Sequence, residues 1–220
     1  MIQLIAFLGN PGHEYAGNRH NAGRLLVESL PFGSSLSWQK KFQGLYTAVA
    51  AEKITANIQT LSAPHTSTPT PHSPLPTPNL PPKYHFLMPE TYMNNSGESV
   101  SQAATFFKIK PEEIIIVHDE LEIPLGSISL KYSGGLGGHN GLRSMKACLG
   151  TADFWRLRIG IGRPDNDDVY NWVLSDFSVN EKETLNTVLD AGAALLMQCL
   201  NREPDTLLPE WAKKKIVKQE

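Results

Sequence analysis

The chain has 220 residues, of which 40% are hydrophobic, and a formal net charge of −2 at pH 7. A chain of this length can bury one substantial core, so a single domain is expected over residues 1–220. The charge balance argues against a general nucleic-acid binder, and no apolar run approaches the roughly 20 residues that a membrane span needs. The N-terminal residues lack the features of a signal peptide, so we expect a soluble, cytoplasmic protein without a membrane partner.

The first half of the chain alternates predicted elements: a strand at about residues 2–8, a helix at about 21–30 and a strand at 42–50. Eight of the 16 prolines then fall between residues 64 and 82, and no residue from 54 to 82 is charged. Such a Pro/Ser/Thr-rich composition favours neither a strand ladder nor a helix. We interpret it as a surface insertion at about residues 56–83.

The second half continues the alternation, with strands at 84–88, 114–117, 127–132 and 156–161 and helices at 96–107, 139–149 and about 185–200. Ser96 is a suitable N-cap for the helix that begins there. Alternating strands and helices predict an α/β protein, a three-layer α/β/α sandwich around a mixed, mostly parallel twisted sheet. Cys148 and Cys199 lack CxxC spacing, so neither a disulfide framework nor a zinc knuckle is indicated.

Four polar clusters follow the ends of predicted strands, at residues 9–23, 89–97, 118–120 and 133–141. The carboxyl ends of parallel strands meet at one edge of a sheet, so we expect the four clusters to share one crevice. Each cluster alone could be an ordinary turn. Their convergence would bring together six polar residues: Asn10, His20, Asn94, Asp119, His139 and Asn140.

This set of residues suits general-base chemistry. A histidine with an aspartate partner can accept a proton, because the carboxylate fixes the tautomer and stabilises the imidazolium that forms. The sequence contains no GxSxG, HExxH or phosphate-binding glycine motif. The simplest remaining reaction is direct attack of an activated water on a carbonyl, with asparagine amides orienting the substrate and stabilising the oxyanion.

Five segments, in order, resemble the bacterial-type peptidyl-tRNA hydrolases: FLGNPGHEYAGNRHNAG, MPETYMNNSG, HDELEIPLG, GGLGGHNGL and FWRLRIGIGRP. The match runs from about residue 2 to residue 200 outside the insertion. The resemblance implies a cytoplasmic, monomeric enzyme that acts on peptidyl-tRNA. It would hydrolyse the ester bond between N-blocked aminoacyl or peptidyl groups and tRNA, recycling tRNA from stalled translation, and would need no metal or other cofactor.

The resemblance also implies a role for each residue that matches the family's motifs. His20 matches the catalytic base, Asp119 the acidic partner that orients it, and Asn10 the asparagine beside the base. The other matches are Asn94 and Asn140, which hold the peptide main chain and the attacking water; Tyr15, Met93 and His139, which wall the crevice; and Lys131, Arg143 and Arg156, which contact tRNA phosphate.

The distribution of charge is consistent with one bound polyanion. Between residues 131 and 163 there are six basic residues and one acidic residue, Asp153. Two other functions stay open at this point. One is a catalytically silent relative that keeps the basic face as an RNA-binding factor. The other is a metallo-amidase with His20, Asp119 and His139 as ligands, which chelators would inactivate.

Overall fold

The computed structural model describes residues 1–62 and 80–217. Its strands are β1 (Leu4–Phe7), β2 (Gln39–Lys41), β3 (Gly44–Ala50), β4 (Lys83–Pro89), β5 (Ile114–Glu120), β6 (Ser127–Tyr132), β7 (Trp155–Gly160) and β8 (Lys214–Lys215). They form one eight-stranded sheet in the order β2-β3-β4-β1-β5-β7-β6-β8. A single sheet with helices on both faces confirms the predicted α/β sandwich.

The helices are α1 (Ala22–Leu25), α2 (Ala51–Ser62), α3 (Ser96–Phe107), α4 (Asn140–Leu149), α5 (Val169–Leu174), α6 (Val179–Asn201) and α7 (Leu208–Trp211). Short 3-10 turns occur between them, including those at Arg19–Asn21 and Met93–Asn95. Within the described part of the chain, no helix is both long and apolar enough to cross a membrane.

The sheet is mixed, with its parallel strands at the centre. Strand β1 pairs in parallel with β4 and β5, and β5 pairs in parallel with β7. The flanking pairs β2/β3, β3/β4, β6/β7 and β6/β8 are antiparallel. The carboxyl ends of β4, β1, β5 and β7 therefore meet at one edge, which is called the carboxyl edge below.

Two hydrophobic clusters cover the two faces of the sheet. Successive side chains of a strand point to opposite faces, so Ile5 and Phe7 of β1 pack with α1, α2 and α6, whereas Leu4 and Ala6 pack with α3 and α4. All four side chains are fully buried. Burial on both faces explains why the central strands are continuous apolar runs rather than alternating ones.

The predicted insertion boundary is wrong at its N-terminal side. Helix α2 runs to Ser62, so residues 56–62, which the composition places in a segment without helix, are helical. An uncharged composition does not prevent this helix, because residues 54–62 contain no proline or glycine that would interrupt it. The predicted insertion continues through residues 63–79, which lie outside the described residues, and β4 begins at Lys83.

One predicted N-cap and the extent of one predicted helix also differ from the structure. Ser96 is not an N-cap: Asn95 holds that position, and the buried Ser96 hydroxyl lies 4.0 Å from the Met93 sulfur. The predicted helix at 21–30 contains only the single turn of α1, followed by a 3-10 turn at Leu26–Ser29. A polar residue that suits a cap by type is thus buried beside a side chain three residues before it instead.

Strand β6 runs opposite to its expected direction. Tyr132, at its end, pairs with Trp155 at the start of β7, so β6 ends at the edge opposite the carboxyl edge. The following segment must therefore travel back along the sheet before α4 begins. Gly134, Gly137 and Gly138 adopt φ values of 88°, 58° and 74°, which glycine reaches without strain.

We expect Gly97→Ala to destabilise the fold. An added Cβ would lie 2.2 Å from the carbonyl oxygen of Ser144, where α3 and α4 approach closely. Separating the helices should lower the free energy of unfolding by about 2–3 kcal/mol, measured by urea denaturation. Gly135→Ala is the matched control, because an added Cβ there would have no atom within 4 Å and the φ of Gly135 is not positive. Equal stability of the two variants would contradict the close approach of α3 and α4.

Candidate active site

The centre of the candidate site is a contact between His20 and Asp119. His20 lies on the 3-10 turn Arg19–Asn21, after β1, and Asp119 lies near the carboxyl end of β5. The Nδ1 atom of His20 is 2.9 Å from each carboxylate oxygen of Asp119. Asp119 is 2% exposed and the His20 side chain 11% exposed. The strand order places β5 beside β1, so the two residues meet as predicted.

His139 is the second partner of Asp119. Its Nε2 lies 3.0 Å from Asp119 Oδ1, and its Nδ1 accepts a hydrogen bond from the backbone N–H of Leu142 at 3.3 Å. Because Nδ1 is the acceptor, the ring proton is on Nε2 and is donated to the carboxylate. His139 is therefore the N-cap of α4 and a support of Asp119, in addition to being a wall of the crevice.

Asp119 and His20 control each other's charge. Burial raises the pKa of Asp119, but His20 and His139 outweigh this and hold the pKa well below its ordinary value. Burial lowers the pKa of His20, but the Asp119 charge and hydrogen bond outweigh it, so the pKa is raised above 6.5. The adjacent His118 is fully buried, which lowers its pKa and keeps it neutral. The site thus holds an ionised carboxylate beside a histidine, His20, whose pKa it raises.

Asn10 is fixed by three hydrogen bonds. Its Oδ1 accepts the backbone N–H of Met93 at 2.8 Å, which leaves its Nδ2 group as a donor. The side chain of Asn21 accepts the backbone N–H of Asn10 at 2.8 Å and donates to its carbonyl at 3.0 Å. Since Asn21 follows His20 directly, this pair of bonds ties Asn10 to the histidine. The sequence places Asn21 in the first polar cluster but assigns it no role of its own.

A cleft of about 290 Å³ opens in front of His20 and Asp119, which are called the dyad below. It is lined by His20, Asp119, Glu120, Leu121, Gly137, Gly138, His139, Asn140, Arg163, Val169, Tyr170 and Val173. Three of these, Val169, Tyr170 and Val173, belong to α5 and form one wall. Four predicted site residues, His20, Asp119, His139 and Asn140, therefore share this cleft. Arg163 lies at the rim, paired with Glu122, and the sequence predicts no role for it.

The other predicted substrate-binding residues lie outside the lining of this cleft. Met93 is buried behind it, and the position of a Cβ on Gly141 would be 2.6 Å from the Met93 sulfur. Asn94 is exposed on the 3-10 turn Met93–Asn95, and Tyr15 is half-buried on the turn His13–Tyr15. The structure brings Met93 to the site through Asn10, but gives Asn94 and Tyr15 no contact with the dyad.

The three predicted phosphate contacts are not equivalent. Arg143 is exposed on α4 and Lys131 is half-buried on β6. Arg156 is only 1% exposed, and its Nη1 and Nη2 donate to the carbonyl oxygens of Gly135 and Gly134 at 2.7 and 2.9 Å. This burial contradicts a direct phosphate contact by Arg156. Its guanidinium instead holds the start of residues 134–138, called the glycine segment below, which lead to His139.

The dyad residues and His139 form a group of the kind that can hold a metal ion. The potential ligand atoms of His20, Asp119 and His139 all lie within 4.8 Å of one another. In the observed geometry, however, both histidines direct an N–H group at the carboxylate, so the three side chains satisfy one another. A metal ion would have to replace both of these protons. The arrangement fits proton transfer without any such rearrangement.

A buried, ionised carboxylate orients a histidine at the edge of a cleft on an α/β scaffold, an arrangement that suits an enzyme with proton-transfer chemistry. The chain belongs to the peptidyl-tRNA hydrolase family, whose family model, "Peptidyl-tRNA hydrolase", matches residues 4–71 and 72–219. The resemblance seen in the five sequence segments is thereby confirmed.

Relatives and solved structures agree with this assignment. A peptidyl-tRNA hydrolase of Treponema pallidum is 40% identical, over 98% of this chain and 97% of its own. One of Desulfitobacterium hafniense is 40% identical, over 87% and 89%. The crystal structure of a peptidyl-tRNA hydrolase in complex with N-propanol has a TM-score of 0.76 at 32% identity, and that of the Acinetobacter baumannii enzyme 0.72 at 33%, each covering 96% of both chains.

We expect Asp119→Asn to lower the pKa of His20. Without the carboxylate charge, burial alone acts on the imidazole, so the pKa should fall from above 6.5 to below it. NMR titration of ¹³C-labelled histidine would measure both values. Glu120→Gln is the matched control, since it removes the neighbouring charge, which pairs with Arg158 rather than with His20. An unchanged His20 pKa in Asp119→Asn would contradict the coupling described here.

Proposed function

We propose that His20 is the general base with which this protein activates water. As a member of its family, the protein hydrolyses the ester bond that joins a peptide to tRNA, which returns the tRNA to translation. The observation that best supports the role of His20 is its contact with both oxygens of Asp119 through Nδ1. This contact puts the proton on Nδ1 and leaves Nε2, which has no hydrogen-bond partner among the described residues, as the acceptor.

The proposed reaction needs no covalent intermediate. A water molecule gives a proton to Nε2 of His20 while its oxygen attacks the ester carbonyl, and Asp119 stabilises the imidazolium. The imidazolium then returns this proton to the departing ribose oxygen, which frees the tRNA hydroxyl. The peptide carboxylic acid keeps the second proton of the water and then loses it to solvent, which leaves a carboxylate. A positioned base typically contributes about 10²–10⁴-fold, which suits an ester because esters are already activated acyl compounds.

Two asparagines are the proposed amide partners of the substrate. The Nδ2 group of Asn10 is the donor left over once Oδ1 has accepted the Met93 N–H, so it is available to a developing oxyanion or to the water. Asn140 lines the cleft beside His139, where its amide can pair with a peptide main chain. We extend this role to Asn94, with Tyr15 and Met93 as neighbouring walls, on the sequence resemblance alone.

The proposed tRNA contacts are Arg143 and Lys131, with Arg156 acting only indirectly through the glycine segment. Arg143 sits in the first turn of α4, and its Nη1 donates to Oδ1 of Asn140 at 3.4 Å, so its guanidinium lies beside a residue that lines the cleft. A phosphate held there would keep the acceptor end of the tRNA near the cleft. We further propose that the protein acts as a monomer in the cytoplasm, where its substrate is produced.

We expect His20→Ala to lower kcat for an N-acetylaminoacyl-tRNA by at least about 100-fold with little change in KM, because the variant lacks the base but keeps the tRNA contacts. Release of the N-acetylaminoacyl group from labelled tRNA measures this. His13→Ala is the control, since His13 is an exposed histidine of the same loop. The wild-type protein should also be treated with EDTA and freed of it before assay, so that the tRNA keeps its magnesium.

Each alternative gives a different outcome in this assay. Substantial turnover by His20→Ala would remove His20 from the base role. Loss of activity after EDTA, restored by zinc, would favour the metallo-amidase with His20, Asp119 and His139 as ligands. Tight tRNA binding without any cleavage by the wild type would favour the silent RNA-binding relative.

We expect Arg143→Gln and Lys131→Gln each to flatten the salt dependence of tRNA binding. Loss of one phosphate contact should reduce the slope of log Kd against log salt by about one unit. Arg156→Gln should leave the slope unchanged, because its guanidinium is buried against the carbonyl oxygens of Gly134 and Gly135. Arg202→Gln, beyond the distant end of α6, is the control. A smaller slope in Arg156→Gln would contradict its indirect role.

A further inference from the structure

Arg19, the residue before the proposed base, is a buried cation between α5 and α6. It is 4% exposed. Its Nη2 donates to Glu181 Oε2 at 2.9 Å, and its Nε donates to the hydroxyl of Ser175 at 3.2 Å. Glu181 also accepts the backbone N–H of Ser178 in the capping box of α6. The guanidinium is thus joined to the start of the longest helix and to the end of α5.

The guanidinium is stacked as well as hydrogen-bonded. Its central carbon lies 3.7 Å from the centre of the Trp172 ring and 4.8 Å from that of Phe177. Its Nη1 is buried and has no hydrogen-bond partner within residues 1–62 and 80–217. The aromatic face therefore replaces part of the water that the cation has lost, and a cation–π contact is strongest in such a desolvated position.

Helix α5 is only partly packed on the core, through the half-buried Trp172 and Val173. It has six residues, none of them fully buried, and a helix this short is not stable by itself. The Trp172 indole donates to the carbonyl of Gly162 at 2.8 Å, and the backbone N–H of Arg19 donates to the carbonyl of Ser175 at 3.0 Å. The Arg19 side chain adds the contacts that link the end of α5, at Ser175, to Glu181 of α6. Since α5 forms one wall of the cleft, its position decides the width of the cleft.

We propose that Arg19 is a positioning residue that fixes α5 as the cleft wall opposite the dyad and so determines how tightly substrate is held. Arg19 is not among the residues that line the cleft, and its charge is paired with Glu181, so it acts through Trp172 and Ser175. Proton transfer is left to His20 and Asp119. This inference rests on the proposed hydrolase function for its kinetic part, but its structural part does not.

The kinetic test compares Arg19→Lys and Arg19→Met with the wild type on an N-acetylaminoacyl-tRNA. Methionine removes both the ion pair and the hydrogen bonds, whereas lysine can still pair with Glu181 but loses the planar stack. We expect KM to rise about tenfold in Arg19→Met and less in Arg19→Lys, with kcat changed by less than about threefold. The pH at which kcat/KM falls should stay that of the wild type, because Asp119 supplies the charge that governs His20.

The structural test follows Trp172 without any substrate. The difference between the emission of the wild type and that of Trp172→Phe isolates the Trp172 signal from the other tryptophans. In Arg19→Met this signal should shift to the red and become more accessible to a neutral quencher. Ser178→Ala is the matched control, since it removes a capping hydrogen bond of α6 but does not touch Arg19. Its melting temperature should fall while KM and the Trp172 signal stay unchanged.

The outcomes are distinct. An unchanged KM and an unchanged Trp172 signal in Arg19→Met would overturn the proposal. A fall in kcat with a shifted pH profile would also overturn it, because Arg19 would then take part in the chemistry. An equal rise of KM in Ser178→Ala would overturn it as well, because the effect would then be one of general stability. Absence of wild-type hydrolysis would refute the proposed function, and the Trp172 signal would then still decide whether Arg19 holds α5.

Discussion

The site depends on a single buried carboxylate. Asp119 is 2% exposed near the end of β5 and is charged only because His20 and His139 direct N–H groups at it. Such a group is costly to bury unless it is fully paired, so the two histidines stabilise the fold of this edge. The parallel pairing of β1 with β5 brings His20 to it, and the glycine segment before α4 brings His139. Hydrogen bonds of Asn21 to Asn10 and of Arg156 to the glycine segment hold the two parts of the chain that carry His20 and His139.

The architecture was predictable from the sequence because the central strands are continuous apolar runs and the helices keep their period. The direction of β6 was not. The strand order along the chain predicts that His139 reaches the crevice from the end of a parallel strand, but β6 is antiparallel and ends at the opposite edge. The residue arrives all the same, because Gly134, Gly137 and Gly138 let the chain turn back. A cluster of glycines indicates that a sharp path exists but not where it leads.

Residue types at the site were predictable, whereas individual contacts were not. Chemistry predicts a histidine paired with an aspartate, and the resemblance to the family implies that the pair is His20 and Asp119. A surface position is the natural prediction for Arg156, since arginine is seldom fully buried, and only the carbonyl oxygens of the glycine segment make its burial possible. Asn21 orients Asn10 through two backbone hydrogen bonds that no sequence pattern announces. Contacts of this kind depend on tertiary neighbours and are not encoded in local spacing.

Both borders of the sheet end in very short strands that carry lysine. Strand β2 has three residues, including Lys40 and Lys41, and β8 has only Lys214 and Lys215. An open eight-stranded sheet otherwise offers unpaired backbone groups to any strand of another molecule, which is a common route to aggregation. Two copies of this chain that met border to border would bring like charges together and would form only a very short pairing of strands. Within the described part of the chain, the sheet can therefore stay open without offering a long edge to a strand of another molecule.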